Sequence, residues 1–397
     1  MILSGYFELS WWAYIVVALL LTHITIASVT IYLHRHQTHH ALDIHPIASH
    51  LFRFWLWLTT GMLTREWVAI HRKHHARCES QEDPHSPQIH GIAKVLWGGV
   101  FLYVRESRNA ETIDRFGRGT PDDWIERNVY GRCPFCGIVV MAIIDIFAFG
   151  IVPGALIFGV QMAWIPFWAA GVINGAAHYW GYRNYPVDDA STNLFPIGWL
   201  IGGEELHNNH HAFPTSAKFS NAWYELDVGW LYIRILETLH LAHVRRTAPV
   251  PTFSAQKTEC DADTVRAILT HRYYVLAQYT RSLERACRQA IIELGRVRPA
   301  PADAEKDPRS SRALLRWLKL HSWHGNARGP IVLDSLLHGH ERLQMIYSMR
   351  QELSALWNRS SASIENLLEQ LKEWRKRAEA SGIIELRDFS RRLPQLV

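Results

Sequence analysis

Histidine is the residue type through which this chain is equipped to do chemistry. It supplies 23 of the 397 residues, and many of them are bunched. The bunches are HRHQTHH at His34 to His40, HRKHH at His71 to His75, and HNNHH at His207 to His211, with His178 closing the stretch NGAAH. In the second and third bunches the i, i+3, i+4 spacing puts three rings on one face of a helix, where they can converge on an ion. His34 and His39 are five residues apart, more than one α-helical turn, and are predicted to straddle a loosening helix end. Neutral imidazole is a good ligand for iron, zinc and copper. Eight clustered histidines plus His178 exceed the four ligands of a single zinc ion, so two metals are the economical count. A carboxylate-rich set would suggest a soluble di-iron bundle, but acids are sparse beside these clusters in the sequence. Isolated histidines are more often core or surface residues than ligands, and His23, His45, His50 and His90 are read that way.

The elements that position the clusters read as membrane helices. Trp11 to Leu33 contains no acid, Lys or Arg, and Gly137 to Ala177 contains a single acid, Asp145. Roughly 20 apolar residues cross a bilayer core, so the first run fits one span and the second a hairpin of two. Residues 1–10 have no basic segment and no small-residue cleavage site follows, which makes the first run a retained span and not a signal peptide. If the clusters form one site they share a membrane face. The segment Pro46 to Ile70 then cannot cross, and is expected to lie along the interface or to dip in and return, helped by Gly61 and its tryptophans. Lys and Arg crowd the stretch from Arg72 to Arg132, whereas residues 1–10 and the hairpin turn expected near Pro153 to Ile165 have none. By the positive-inside rule the histidines face the cytoplasm. The fold class is therefore all-α: about three spans plus an interfacial helix, a cytoplasmic helical cap and a soluble helical C-terminal region.

Two domains are expected, 1–250 in the membrane and 251–397 outside it. Of the net charge of +5, about +7 falls after Pro251 and about −2 before it. An amphipathic stretch at Phe219 to Leu241 precedes a break near Pro249 and Pro251. Helices are predicted at Asp263 to Leu294, Arg309 to Leu318, Leu333 to Trp357, Ser363 to Ser381 and Ile383 to Leu393, with a linker at Pro299 to Asp307. Ser361 and Ser363 offer N-caps and Gly382 a C-cap. The five cysteines are odd in number and scattered, which argues against a disulfide framework and for a reducing compartment. Cys133-Pro-Phe-Cys136 is a single CxxC, for which a metal or redox role is the minority reading.

Four motifs carry a family resemblance: HRHQTH (His34 to His39), EWVAIHRKHH with a following EDPH (Glu66 to His85), NGAAHYWGYRNY (Asn174 to Tyr185) and GGEELHNNHHAFP (Gly202 to Pro214). In order and spacing they resemble the membrane fatty acyl desaturases, most closely the acyl-CoA delta-9 (stearoyl-CoA type) branch in its bacterial form, over roughly residues 10–245. The resemblance implies iron ligands at His34, His39, His71, His74, His75, His178, His207, His210 and His211, with Asn174 holding a metal-bound water. His36, His40 and His85 would stand just outside the ligands. It implies two iron ions, O2 as co-substrate, and a cis double bond introduced into a long-chain saturated acyl-CoA for unsaturated fatty acid synthesis. It implies a bacterial inner-membrane, multi-pass enzyme whose active site and C-terminus are cytoplasmic. The alternatives are a desaturase of glycerolipid-linked chains, or a related di-iron fatty acid hydroxylase or alkane monooxygenase. The eukaryotic enzymes carry an Arg-Asp pair before the second box that helps hold the CoA headgroup, and here Ala69 and Ile70 stand there. With no cytochrome b5-like His-Pro-Gly-Gly segment, electrons are expected from a separate donor such as a ferredoxin or flavin reductase. Among the tryptophans near the motifs, Trp55, Trp57, Trp67, Trp180 and Trp199 are read as interfacial anchors or core. The C-terminal region is similar to a helical stretch of some bacterial transposases. There a partner or membrane contact is expected in preference to nucleic acid.

Overall fold

The first apolar run forms α1 (Trp11–Ser28), which widens into a π-helical segment at Val29–Thr38. This answers the five-residue spacing of the first bunch. The His39 N–H donates to the His34 carbonyl at 3.2 Å, an i to i+5 bond, so residues five apart stand one turn apart. The helix end is wound wider and not loosened, and the two rings lie with centroids 5.0 Å apart. The computed structural model describes residues 5–297, 341–358 and 362–397.

Pro46–Thr60 forms α2, with proline in the first turn and Gly61 ending it at φ 64°. Trp55 Nε1 donates to Thr25 Oγ1 at 3.0 Å. Thr25 is nine residues before His34, roughly 13 Å down the helix at 1.5 Å per residue. α3 (Thr64–Arg77) then brings the chain back until His71 lies 4.4 Å from His34, ring centre to ring centre. The chain thus runs down beside α1, turns at Gly61 and returns to the histidines.

After the short α4 (Pro87–His90) come α5 (Ile92–Ser107) and α6 (Ala110–Phe116). The second apolar run is a helical hairpin of α7 (Cys136–Phe149) and α8 (Ile151–Ile165). Its turn is at Gly150, φ 86°, and not near Pro153 to Ile165. Proline is tolerated in a first helical turn, where its missing N–H has no intrahelical partner to lose, and Pro153 sits there in α8. α8 continues through a π-helical segment, Pro166–Ile173, to a tight turn at Ala176–His178. The Tyr6 and Phe7 N–H groups donate to the carbonyls of Phe147 and Ala148 at 3.0 and 2.7 Å. The start of α1 therefore stands beside the hairpin turn, and the histidines stand at its other end. Two stretches, Trp11–Thr38 and Ile151–His178, are long and apolar enough to cross a membrane; the third, Cys136–Phe149, is shorter at 14 residues.

α5 and the π-helical end of α8 meet at glycine. A Cβ on Gly99 would stand 2.1 Å from the Ala170 carbonyl oxygen, and one on Gly171 2.3 Å from that of Leu96. Only a residue without a side chain lets the two backbones approach this closely. Beyond lie α9 (His207–Ala212) and α10 (Val228–Thr238), the latter shorter than the amphipathic stretch expected at Phe219 to Leu241. Two small sheets tie the segments: β1 (Leu42–Ile44) runs antiparallel to β4 (Ala242–Val244), and β2 (Ile197–Gly198) parallel to β3 (Leu226–Asp227).

The chain divides into two units, Met1–Arg183 with Asp189–Ala248, and Asn184–Asp188 with Pro249–Val397. The second is helical: α11 (Ala262–Thr270), α12 (Arg272–Val297), α13 (Glu341–Asn358), α14 (Ile364–Ala380) and α15 (Ile384–Arg392). The single helix expected from Asp263 to Leu294 is interrupted at His271, φ −104° and ψ 25°. Its core gathers Tyr279, Leu283, Met349, Trp374 and Phe389. The polar tips of its two large aromatics have partners, Trp374 Nε1 on the Met349 carbonyl and Tyr279 Oη on that of Ile346, both at 2.7 Å. Ser363 caps α14 by accepting the Asn366 N–H, and Gly382 ends it at φ 72°. The expected helix at Arg309 to Leu318, the linker at Pro299 to Asp307 and the Ser361 cap lie outside the described residues. The helix expected at Leu333 to Trp357 is described from Glu341 onward.

Candidate metal centre

The four histidine motifs converge. His34, His39, His71, His75 and His210 form one group whose ring nitrogens all lie within 4.8 Å of one another. Within it, Nε2 of His210 is 3.0 Å from that of His34 and 2.9 Å from that of His75, and the His71 and His75 nitrogens are 3.1 Å apart. In the second group His207 Nε2 lies 3.0 Å from His178 Nε2 and 3.1 Å from His211 Nε2. His74 joins it, its ring nitrogen within 4.8 Å of those of His178 and His211. Two nitrogens held at about 2.1 Å from one ion and at right angles are about 3.0 Å apart. The spacings therefore fit one group of five nitrogens gathered about a point, and beside it a second set in which His74 and His207 each approach His178 and His211. His39 Nε2 is buried and has no hydrogen-bond partner, as suits a nitrogen directed at an ion.

The opposite nitrogens of four rings rest on carboxylates. Nδ1–H of His34 donates to Glu204 at 2.7 Å, that of His74 to Asp83 at 3.0 Å, and that of His211 to Asp189 at 2.9 Å. His178 Nδ1 lies 3.3 Å from Glu79. A proton fixed on Nδ1 leaves the Nε2 lone pair free to bind a metal. Burial alone would raise the Asp83 and Asp189 carboxyls; the adjoining His74 and His211 rings hold them well below the ordinary carboxylate range. Burial, reinforced by the neighbouring rings, lowers His39, His71, His75, His207 and His210 well below the usual imidazole value. These rings are neutral at pH 7, the form that ligates.

The four carboxylates revise the expectation that acids are sparse around the clusters. They stand behind the rings, and two were in view, in the EDPH and GGEEL stretches, without any spacing rule to assign them. Glu79 takes up φ 60°, a left-handed backbone rare outside glycine. In that position its carboxylate accepts the Ala190 N–H at 2.8 Å, and its own N–H donates to Asp83 at 2.7 Å. His85 stacks on His74 with centroids 4.5 Å apart. His36 and His40 do not stand behind the ligands. The first bonds the Leu42 carbonyl at 2.8 Å, and the second lies 3.2 Å from Arg72. Arg35, between two histidines of the first motif, points the other way. Fully buried, it donates two bonds to Asp227, at 3.1 and 2.9 Å, and lies 3.8 Å over the Phe219 ring. Cys78 was not anticipated; its Sγ is 3.9 Å from His74 Nε2 and within 4.8 Å of the His178 and His211 ring nitrogens as well.

A cavity of about 510 Å³ ends at the histidines. His34, His71, His207 and Asn174 line that end, and Ile26, Val29, Val100 and Ile165 are among its apolar walls. Trp67 lines it as well and stacks on His71 at 5.0 Å, so one of the five tryptophans near the motifs is cavity wall. Trp55 and Trp57 bond Thr25 and the Cys133 carbonyl, while Trp180 and Trp199 are exposed. Ile70, one of the two residues in place of an Arg-Asp pair, also faces the cavity.

A family model described as fatty acid desaturase matches residues 9–242. The chain belongs to the fatty acid desaturase family. All nine converging histidines and Asn174 fall inside the matched stretch. The chain is similar to a probable chloroplast lipid desaturase of Arabidopsis thaliana, 32% identical over 218 residues that make up 54% of this chain and 58% of the relative. It is 28% identical over 233 residues to an sn-1 stearoyl-lipid 9-desaturase of Anabaena variabilis, covering 58% of this chain and 83% of that one. An sn-2 palmitoyl-lipid 9-desaturase of a Nostoc strain is 32% identical over 187 residues, 44% of this chain and 61% of its own length. A second model, described as transposase, matches residues 263–395.

Proposed function

We propose that this desaturase introduces a cis double bond, at the delta-9 position, into a long-chain saturated acyl group, using two irons held by the five- and four-histidine groups. The observation that carries the reading is the convergence of nine imidazoles at spacings that suit two ions, with three of the rings, His34, His71 and His207, lining an apolar cavity. His34, His39, His71, His75 and His210 would hold one iron. His74, His178, His207 and His211 would hold the other, with Asn174 supporting a bound water. Desaturases of this family generally use a di-iron centre with O2, and with two electrons from a separate donor the irons supply the oxidising power to break an unactivated C–H bond. The chain's own residues do the rest. Asp83, Asp189 and Glu204 keep the Nδ1 protons of His74, His211 and His34 in place, so the inward nitrogens stay aimed. Ile26, Val29, Val100 and Ile165 receive a methylene chain and exclude water, and Trp67 braces His71 from that side.

Two acyl carriers fit. Motif order favours acyl-CoA. Relatives named as lipid desaturases, and apolar Ala69 and Ile70 where the CoA-binding pair would stand, favour a glycerolipid. The protein is placed in a bacterial inner membrane, in residues 1–250, crossing it three times, with the histidines and residues 251–397 on the cytoplasmic side. Expression in a host supplied with iron and an electron donor, followed by mass spectrometry of its lipids, tests the function. New delta-9 unsaturation is expected, and its carrier is read from the lipid class that first gains it. Saturated chains left unchanged by an iron-loaded protein would sink the reading, and an alcohol product would make it a hydroxylase. His74→Ala is expected to abolish turnover while the circular dichroism stays helical; normal turnover in that variant would refute the ligand assignment.

A further inference from the structure

One motif takes no part in the centre. Cys133 and Cys136, in Cys-Pro-Phe-Cys, are joined as a disulfide with Cα atoms 5.4 Å apart, although the scattered cysteines argued against a disulfide framework. The two residues enclosed by the bridge, Pro134 and Phe135, line the cavity together with Ile138, one turn into α7. The ring is anchored on one side. The Cys133 carbonyl accepts the Trp57 Nε1–H of α2 at 3.0 Å. The Gly61 turn, itself part of the cavity wall, packs on Pro134, whose carbonyl oxygen would lie 3.1 Å from a Cβ there. On its other side the ring is open, since Cys136 and Phe135 are exposed while Cys133 is half-buried.

We propose that Cys133–Cys136 is a thiol–disulfide exchange site, served by a protein dithiol, whose redox state sets how readily an acyl chain enters and leaves the cavity past Phe135. An incoming thiolate bonds the Cys136 sulfur, the Cys133–Cys136 bond breaks, and Cys133 leaves as a thiolate that takes up a proton. The partner's second thiolate then attacks its own sulfur in the mixed disulfide and releases Cys136. Two electrons and two protons pass from the dithiol to the pair, and the partner leaves as a disulfide. With the bridge closed, Pro134 and Phe135 are held as a fixed piece of wall. With it open, the loop keeps the Trp57 bond and its own backbone bonds, Cys133 N–H to the Val129 carbonyl and Cys136 N–H to that of Cys133, both at 3.2 Å. The covalent clamp across Pro134 and Phe135 is gone, however, and the Phe135 side chain, already exposed, is freer to swing outward. On the cytoplasmic face proposed above, dithiol reductants keep such a pair reduced, so oxidising conditions close the bridge and slow substrate exchange.

The inference rests on the cavity being the acyl site, and the test separates the two. Full-length, iron-loaded protein in detergent is treated with diamide or with dithiothreitol, and the reagent is removed. Maleimide labelling with peptide mass mapping then reads the state of Cys133 and Cys136. Displacement of a fluorescent long-chain fatty acid by unlabelled stearate reads exchange from the cavity. The expected result is that dithiothreitol opens the pair to maleimide and speeds displacement about tenfold, the factor that 1.36 kcal/mol off a barrier gives. Cys136→Ser should exchange at the fast rate in both treatments. Equal displacement rates in the two states, or cysteines that dithiothreitol leaves closed to maleimide, would overturn the switch while leaving the acyl cavity standing. A probe that binds in neither state would overturn the acyl site and the switch with it.

Discussion

The nine histidines differ in what stands behind them, and that difference decides which substitutions the centre tolerates. His34, with Nδ1–H donated to the buried Glu204, has its tautomer set by one bond, and Glu204 is held in turn by Thr30 Oγ1 at 2.6 Å. Glu204→Gln keeps the shape and loses the charge. Removing such an outer partner typically costs 10- to 100-fold in metal affinity, so retention of iron against a chelator is expected to fall by about that factor with helicity unchanged. His36→Gln serves as the contrast, because the His36 ring bonds only a backbone carbonyl; its iron content is expected to match the unaltered protein. The spacing of HxxHH in two motifs was legible without a structure, because helical geometry alone puts those rings on one face. The carboxylates were not, because Asp189 lies 22 residues from His211 and Glu204 lies 170 from His34, and no local rule joins them.

At the scale of elements, the π-helical end of α1 and the glycine contact between α5 and the end of α8 place the rings. Gly99→Val would drive a branched side chain into the Ala170 carbonyl. Overpacking of this kind costs about 1–3 kcal/mol, which a lowered thermal unfolding midpoint should reveal. Gly159→Ala in α8 is the control, since a Cβ there meets nothing within 4 Å and the midpoint is expected to stay or rise. Arg35 ties the wide helix to the loop before α10. Its substitution by Met leaves Asp227, equally buried, without a countercharge. Breaking a buried pair costs about 3–5 kcal/mol, and Arg35→Met is expected to lower the unfolding midpoint more than Gly99→Val does. Helix existence was readable from apolar runs. The π register at residues 29–38 was not, because no residue pattern separates a wide turn from a frayed one until the i to i+5 bond between His39 and His34 is seen.

Across the whole molecule the two units hold their own cores, one around α1 and the histidines and one around Trp374, Tyr279 and Phe389. The desaturase match ends at residue 242 and the transposase match begins at 263. All converging groups lie in the first unit, so a chain truncated after Ala248 is expected to keep desaturating host lipids. Mass spectrometry of those lipids checks it, and lost activity in a truncated protein that still holds iron would assign the second unit a part in turnover. By itself the sequence determined that histidine clusters would sit at the ends of apolar helices, because ring spacing and hydropathy are local properties. Only the tertiary structure decided which rings come together, the carboxylates behind them and the cavity that reaches them. These depend on segments up to 176 residues apart, such as His34 and His210, being packed within hydrogen-bonding distance of one another.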